Sequence, residues 1–400
     1  MSGLMAGAAA IGGLPADAAE PKTSTHKPLL VKLGCQSGPA TDEHFAFLAR
    51  YGIKNIVSSA PQADRKRPYP TVEELKSLRE RAAAHGLSVD MTNCSFMTAA
   101  PISQIMLGGP GRDAEIENFK QLLKNCAEAG IAAVKYNLPI MPILRSSVIP
   151  GRGDSFNHRW RIAEMQGSPM MTAWDEEGSD SEFPGFPNHF SAGSGQQAAS
   201  VPHGPSDRSV YRVADWERIV GKPTEKELWS RIEYFLERVV PTANATKVRM
   251  ALHPEDCGVP PEGFHGVPQV LGTIDGLKRF VSTQDSPYHG LAFCQGTISE
   301  DLPDPKTQIY DVIRWFGSRK KIFLVHFRNV RGHRDDVVVE IFPDEGEVKM
   351  ARALKVYRDV GYDGMLVPDH IPLSAAGSGE ANWSFCYGYI RGLLQAEAEI

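Results

Sequence analysis

Eight short apolar runs rich in β-branched residues alternate with eight helical patterns along this chain, a rhythm that few folds accommodate. The runs are Leu29–Gly34, Ile53–Ser59, Leu87–Asn93 and Ala132–Leu138, then Val248–His253, Leu291–Gln295, Lys321–Arg328 and Gly364–Asp369. Helices are expected over Asp42–Tyr51, Thr71–His85, Asp113–Ala129, Thr224–Ala243, Thr273–Ser282, Pro305–Phe316, Glu347–Val360 and Trp383–Ala396. Thr71-Val-Glu-Glu and Thr224-Glu-Lys-Glu read as N-capped first turns. Gly52, Gly86, Gly130 and Gly361 each follow a helical run and precede a strand, where a left-handed residue ends the helix. Strict alternation predicts a closed parallel (β/α)8 barrel, a TIM barrel, over an open doubly wound sheet. No GxGxxG or GxxxxGK[ST] loop follows the first strand, which also speaks against a nucleotide-binding open sheet.

A barrel of this kind accommodates 400 residues as one domain, here expected over residues 27–400. The net charge is −5 and the Lys and Arg residues are scattered, so no nucleic-acid partner is expected. No apolar run reaches the roughly 18 residues that span a bilayer, so no membrane partner is expected either. Residues 1–26 are set apart from the fold. Met1 to Ala19 is apolar and lacks Lys and Arg, and it ends in a small-x-small pattern at Ala18. It reads either as an export signal without its basic start or as a flexible tail. The first reading implies an exported or periplasmic protein, the second a cytoplasmic one. The six cysteines are spread without a CxxC and do not form a disulfide framework.

The segment from Ile140 to about Pro223 breaks the rhythm with Pro, Gly, Ser and Asp. Lying after the fourth strand, it would stand over the barrel mouth. It reads as a lid offering Arg145, Arg152, His158, Trp160, Arg161 and Trp174 to a substrate, or as a partly disordered insertion.

The last four runs end in residues able to hold a metal: His253, Cys294, His326 and Asp369, each one βα unit from the next. Strand ends converge at the C-terminal rim of a barrel, so the four can meet around one point. Two imidazoles, a thiolate and a carboxylate suit a borderline divalent ion such as Mn²⁺, Fe²⁺, Co²⁺ or Zn²⁺ better than Mg²⁺ or Ca²⁺. Polar residues flank the quartet. His370 and Glu255 are candidates for proton transfer, and Arg328 for a bidentate hold on a carboxylate. Asp256, Asn329 and Asn137 also lie at strand ends.

The order His253-Pro-Glu-Asp, Gly266-Val-Pro, Cys294, Val325-His326-Phe-Arg328 and Pro368-Asp369-His370 resembles the mannonate dehydratase family. Tyr136-Asn137 and the helix around Tyr234-Phe-Leu-Glu-Arg-Val-Val-Pro241 add to it. The resemblance implies a xylose-isomerase-like barrel and Mn²⁺ or Fe²⁺ on His253, Cys294, His326 and Asp369. It also implies removal of water from D-mannonate to give 2-keto-3-deoxy-D-gluconate, a step of hexuronate breakdown, with His370 in proton transfer. Around this site Asn137, His265, Asn329 and Arg145 are expected to bind substrate. The chain departs from the family pattern at Val367 and Gln269, which stand in place of arginines, and at Ile371, in place of a glycine. The readings that follow are a metal-dependent lyase on a sugar acid, an isomerase, epimerase or lyase on a neutral or oxidised sugar, and a non-catalytic carbohydrate-binding barrel. The partner expected is a small sugar or sugar acid, and pairing through rim loops leaves a homo-oligomer open.

Overall fold

The computed structural model describes residues 27–36, 38–64, 66–97, 102–168, 170–174, 208–260, 262–374 and 380–399, with the side chains of 170–174, 208–212 and 374 left aside. The expected signal-like segment, residues 1–26, lies outside the described residues. Eight parallel strands close into a barrel: β1 (Lys32–Cys35), β2 (Asn55–Val57), β3 (Ser88–Asn93), β4 (Ala133–Tyr136), β5 (Arg249–Leu252), β6 (His289–Cys294), β7 (Ile322–His326) and β8 (Met365–Val367). Each strand pairs with its sequence neighbours and β8 returns to β1, with Lys32 opposite Met365.

The local signals act as their chemistry dictates. Thr71 and Glu74, and Thr224 and Glu227, form reciprocal capping boxes that satisfy first-turn N–H groups of the helices Val72–Ala84 and Glu225–Thr246. Gly130 caps the helix Arg112–Ala129 at φ 74°, a conformation that only glycine adopts without strain. Inside the barrel, Ala133, Ala251 and Ala292 cluster with Met91, Phe323 and Met365, so small and large residues fill the interior together. Gly34 belongs to that fit, because a Cβ there would stand 2.8 Å from the sulfur of Met365. The larger apolar cluster lies between the strands and the surrounding helices.

Over the mouth stands a second, antiparallel sheet that the sequence reading did not anticipate. Its central strand, Ser155–Trp160, pairs along one edge with Ser147–Pro150. Along the other edge it meets Val338–Glu340, from the loop after β7, and Leu373–Ser374, from the loop after β8. Val330–Gly332 extends the sheet beyond Val338–Glu340. The described part of the insertion after β4 is therefore tied to two other loops. Among the described residues, no helix is long and apolar enough to cross a membrane.

Candidate metal centre

Cys294 closes β6 and His326 closes β7, and the two are direct partners in the strand register. His253 follows β5 and Asp369 lies just beyond β8. One ligand-type atom from each residue lies within 4.8 Å of the others. His253, Cys294 and His326 are buried, and the side chain of Asp369 is 10 % exposed.

Hydrogen bonds outside the quartet fix which atoms face inward. His253 Nδ1 lies 2.6 Å from the Pro254 carbonyl, which can only accept, so Nδ1 carries the proton and Nε2 is bare. His326 Nε2 lies 2.7 Å from Gln36 Oε1, and in the tautomer that donates to it Nδ1 is bare. The two bare nitrogens are 3.1 Å apart, and His326 Nδ1 is 3.0 Å from Asp369 Oδ2. Burial holds His253 well below its ordinary pKa and lowers His326 as well, which favours the neutral form of both imidazoles. Burial would raise Asp369, but His326 and His370 outweigh it and keep the carboxyl ionised. Burial pushes the Cys294 thiol up to about 12. Lone pairs aimed at one another and a thiol awaiting deprotonation are what a bound cation resolves. The donor set therefore fits a borderline divalent ion.

Beneath the quartet runs a closed ionic network. Arg328 donates to Asp256 at 2.7 Å, to Glu340 at 2.9 Å and to Glu300 at 3.1 Å. Arg145 donates to Asp256 at 3.0 Å and also pairs with Glu340. Burial pushes Glu300 up to about 8, so near neutral pH two guanidiniums balance the carboxylates of Asp256 and Glu340. These two carboxyls are held well below the usual range, against burial, by the arginines. His370 joins the network through Nδ1, 2.8 Å from Glu340 Oε1, while its Nε2 lies 3.7 Å from Asp369 Oδ2. Burial lowers His370, but Asp369 and Glu340 more than compensate and its pKa is raised. His370 also adopts φ 45°, an unusual conformation for a residue with a Cβ.

A cavity open to solvent, about 420 Å³ with that open solvent included, lies over the centre, with Lys135, Asn137, His253, His326, Asp369 and His370 on its walls. A second space of about 260 Å³ adjoins it, bordered by Asn137, His253, Glu255 and Asp256.

The model of the D-mannonate dehydratase (UxuA) family matches residues 44–152 and 215–397. The chain belongs to the D-mannonate dehydratase family. Mannonate dehydratase 2 of Halalkalibacterium halodurans is 29% identical over 327 residues, covering 80% of this chain and 84% of the relative. The structure of mannonate dehydratase from Streptococcus suis serotype 2 superposes with a TM-score of 0.69 at 23% identity, covering 92% of this chain and 95% of that one. A xylose isomerase domain protein from Planctomyces limnophilus shares the fold at a TM-score of 0.52 and 13% identity, over 94% of this chain and 100% of that one. The barrel is thus xylose-isomerase-like, and membership in a dehydratase family makes the chain a lyase. The isomerase and non-catalytic readings give way to it.

Several residues expected at the substrate lie elsewhere in this member of the D-mannonate dehydratase family. Arg328 and Arg145 have side chains 1 % exposed and hold the protein's own carboxylates, so neither stands free to clamp a substrate. Asn329 is saturated: Nδ2 donates to the carbonyls of Pro343 and Val348, and Oδ1 accepts from the N–H groups of Val330 and Val348. It braces the loop after β7. His265 sits 3.7 Å from Glu217 and against Trp216 and Phe264, and it lines neither space. Glu255 borders the second space, accepts from the N–H groups of Ile140 and Leu271, and is pushed up to about 7 by burial. Asn137 borders both spaces.

The residues named for the lid fare similarly. Arg152 pairs with Asp344, Arg161 with Asp336, and His158 and Trp160 are buried. The side chain of Trp174 lies outside the described residues. Val367 and Gln269, the two positions without the family's arginines, are buried. Sequence reasoning missed Gln36, Glu340 and Glu300, which act only through partners remote in the chain. Lys135 carried a local signal, a charged residue inside the apolar run Ala132-Ala-Val-Lys-Tyr.

Proposed function

We propose that the chain is a metal-dependent hydro-lyase that removes water from a sugar acid, by default D-mannonate, to give 2-keto-3-deoxy-D-gluconate. The observation that carries the metal is the convergence of His253 Nε2, His326 Nδ1 and Asp369 Oδ2 with the Cys294 thiol, one ligand atom from each within 4.8 Å of the others. Family membership supports the substrate class and the reaction type. The donor set suits Mn²⁺ or Fe²⁺. Such an ion, when bound, acts as a Lewis acid that stabilises negative charge developing on substrate oxygens.

The chain's own groups supply the proton transfers. His370 faces the cavity with Nε2 while Glu340 fixes the other nitrogen, and its raised pKa suits it to give a proton to the departing C3 hydroxyl. Glu255, pushed up to about 7 by burial, borders the adjoining space and takes the proton from C2. The C2–H and C3–O bonds break, a C2–C3 double bond forms, water leaves, and the enol rearranges to the 2-keto product. Asn137, between the two spaces, orients substrate hydroxyls.

The deciding experiment strips metal from the purified protein, reloads it with Mn²⁺, and follows 2-keto-3-deoxy product from D-mannonate. Metal-dependent product is the expected result. Stoichiometric metal without product on mannonate would move the substrate to another sugar acid, and product without metal would remove the ion from the reaction.

A further inference from the structure

The wall of the cavity over the quartet carries a cation, Lys135, that is paired with no anion among the described residues. Lys135 is the third residue of β4, in register with Asn93 of β3 and Ala251 of β5. It is 8 % exposed, and what exposure it has is to the cavity, whose walls also include His253, His326 and His370. Yet among the described residues its ammonium makes no hydrogen bond and no ion pair.

Among the described residues, the arginines that the loops over the mouth present are committed. Arg145 and Arg328 are locked in the buried network, Arg152 is held by Asp344, Arg159 by Glu164 and Arg161 by Asp336. A buried ammonium without a partner is costly, and the cost is relieved when an anion enters beside it. The quartet does not offer that anion. Once it holds a divalent ion, the thiolate of Cys294 and the carboxylate of Asp369 are neutralised by the metal, and Lys135 remains as the uncompensated positive charge on the wall.

We propose that Lys135 binds the carboxylate of the substrate and so sets the preference for sugar acids over neutral sugars. The inference rests on the sugar-acid reading of the same site. A carboxylate at Lys135 brings the adjoining carbons along the wall shared with His253, His326, Asp369 and His370. The residue binds rather than reacts, so its loss should act on affinity.

The test uses the full-length, Mn²⁺-loaded protein in a His370→Asn background, which suppresses turnover, and compares Lys135 with its variants by calorimetric titration with D-mannonate and with the neutral polyol D-mannitol. With Lys135 in place the protein should favour the acid, and Lys135→Met should lose about 10- to 100-fold of that preference, the range expected for one charge-assisted hydrogen bond. Manganese content and circular dichroism should stay unchanged. Lys135→Arg should restore part of the preference, and Lys135→Gln serves as the second neutral variant if the methionine disturbs the strand. A preference that survives in the folded neutral variants would overturn the role of Lys135 and leave the sugar-acid reading standing. A protein that binds acid and polyol alike with Lys135 in place would overturn the sugar-acid reading itself, and this inference with it.

Discussion

His370 gives its Nδ1–H to Glu340 at 2.8 Å, so a residue beside the candidate metal-binding quartet is oriented by a strand from the loop after a different barrel strand. Two substitutions separate orientation from proton transfer. His370→Asn should keep metal content and lower kcat by roughly 10²- to 10⁴-fold, the usual weight of a positioned acid or base. Glu340→Gln keeps an acceptor for the ring but leaves Arg145 and Arg328 short of one negative charge. It should lower the melting temperature as well as kcat, whereas His370→Asn should leave stability nearly untouched. Equal kcat for His370→Asn and wild type would remove this histidine from the reaction.

Cys294 gives a test of the ion itself. Serine at this position is nearly isosteric but holds its proton far more tightly than a thiol beside a metal. Cys294→Ser should lose metal and activity in parallel with an unchanged circular dichroism spectrum. Metal analysis alongside turnover reads both. Full activity with depleted metal would separate the two.

Gln36 touches the site only through the far nitrogen of His326, at 2.7 Å. Such outer partners fix ring orientation and typically contribute 10- to 100-fold in metal affinity. Gln36→Leu should therefore weaken Mn²⁺ binding by about that factor in a chelator competition assay. Activity at saturating Mn²⁺ should largely return. An unchanged Mn²⁺ affinity would mean that His326 is held by its strand alone.

Glu300 predicts a pH dependence. Its folded pKa is pushed by burial from 4.5 to about 8, so folding favours the protonated form. The stability this contributes is complete below about pH 4.5 and is lost as pH rises through about 8. Glu300→Gln, which cannot ionise, should flatten the fall in melting temperature between pH 5 and pH 9. Identical profiles for the two proteins would show that Glu300 is ionised in the fold throughout.

The barrel and the quartet were readable because both are written locally. Each strand announces itself in a few consecutive apolar residues, and its last polar residue falls at the rim by the geometry of the barrel. The network and the sheet over the mouth are written at long range. Arg145 meets Asp256 and Glu340 across 111 and 195 residues. An arginine near a strand end looks the same in sequence whether its carboxylate belongs to a ligand or to the protein. Strands of three to six residues such as Val338–Glu340 and Ser155–Trp160 carry too little pattern to reveal which loop they join. Gly151 and Gly153, between Ser147–Pro150 and Ser155–Trp160, were the one local hint of that hairpin.

The strand Ser155–Trp160 is bonded on its two edges to segments that follow three different barrel strands. Loops of a barrel are commonly treated as interchangeable parts that can be grafted one at a time. Here a graft after β4 would strip partners from the loops after β7 and β8, including the strand that carries Glu340. Any redesign of specificity in this enzyme therefore has to exchange the three loops as one cassette, and natural variation in one of them should be accompanied by matched changes in the other two.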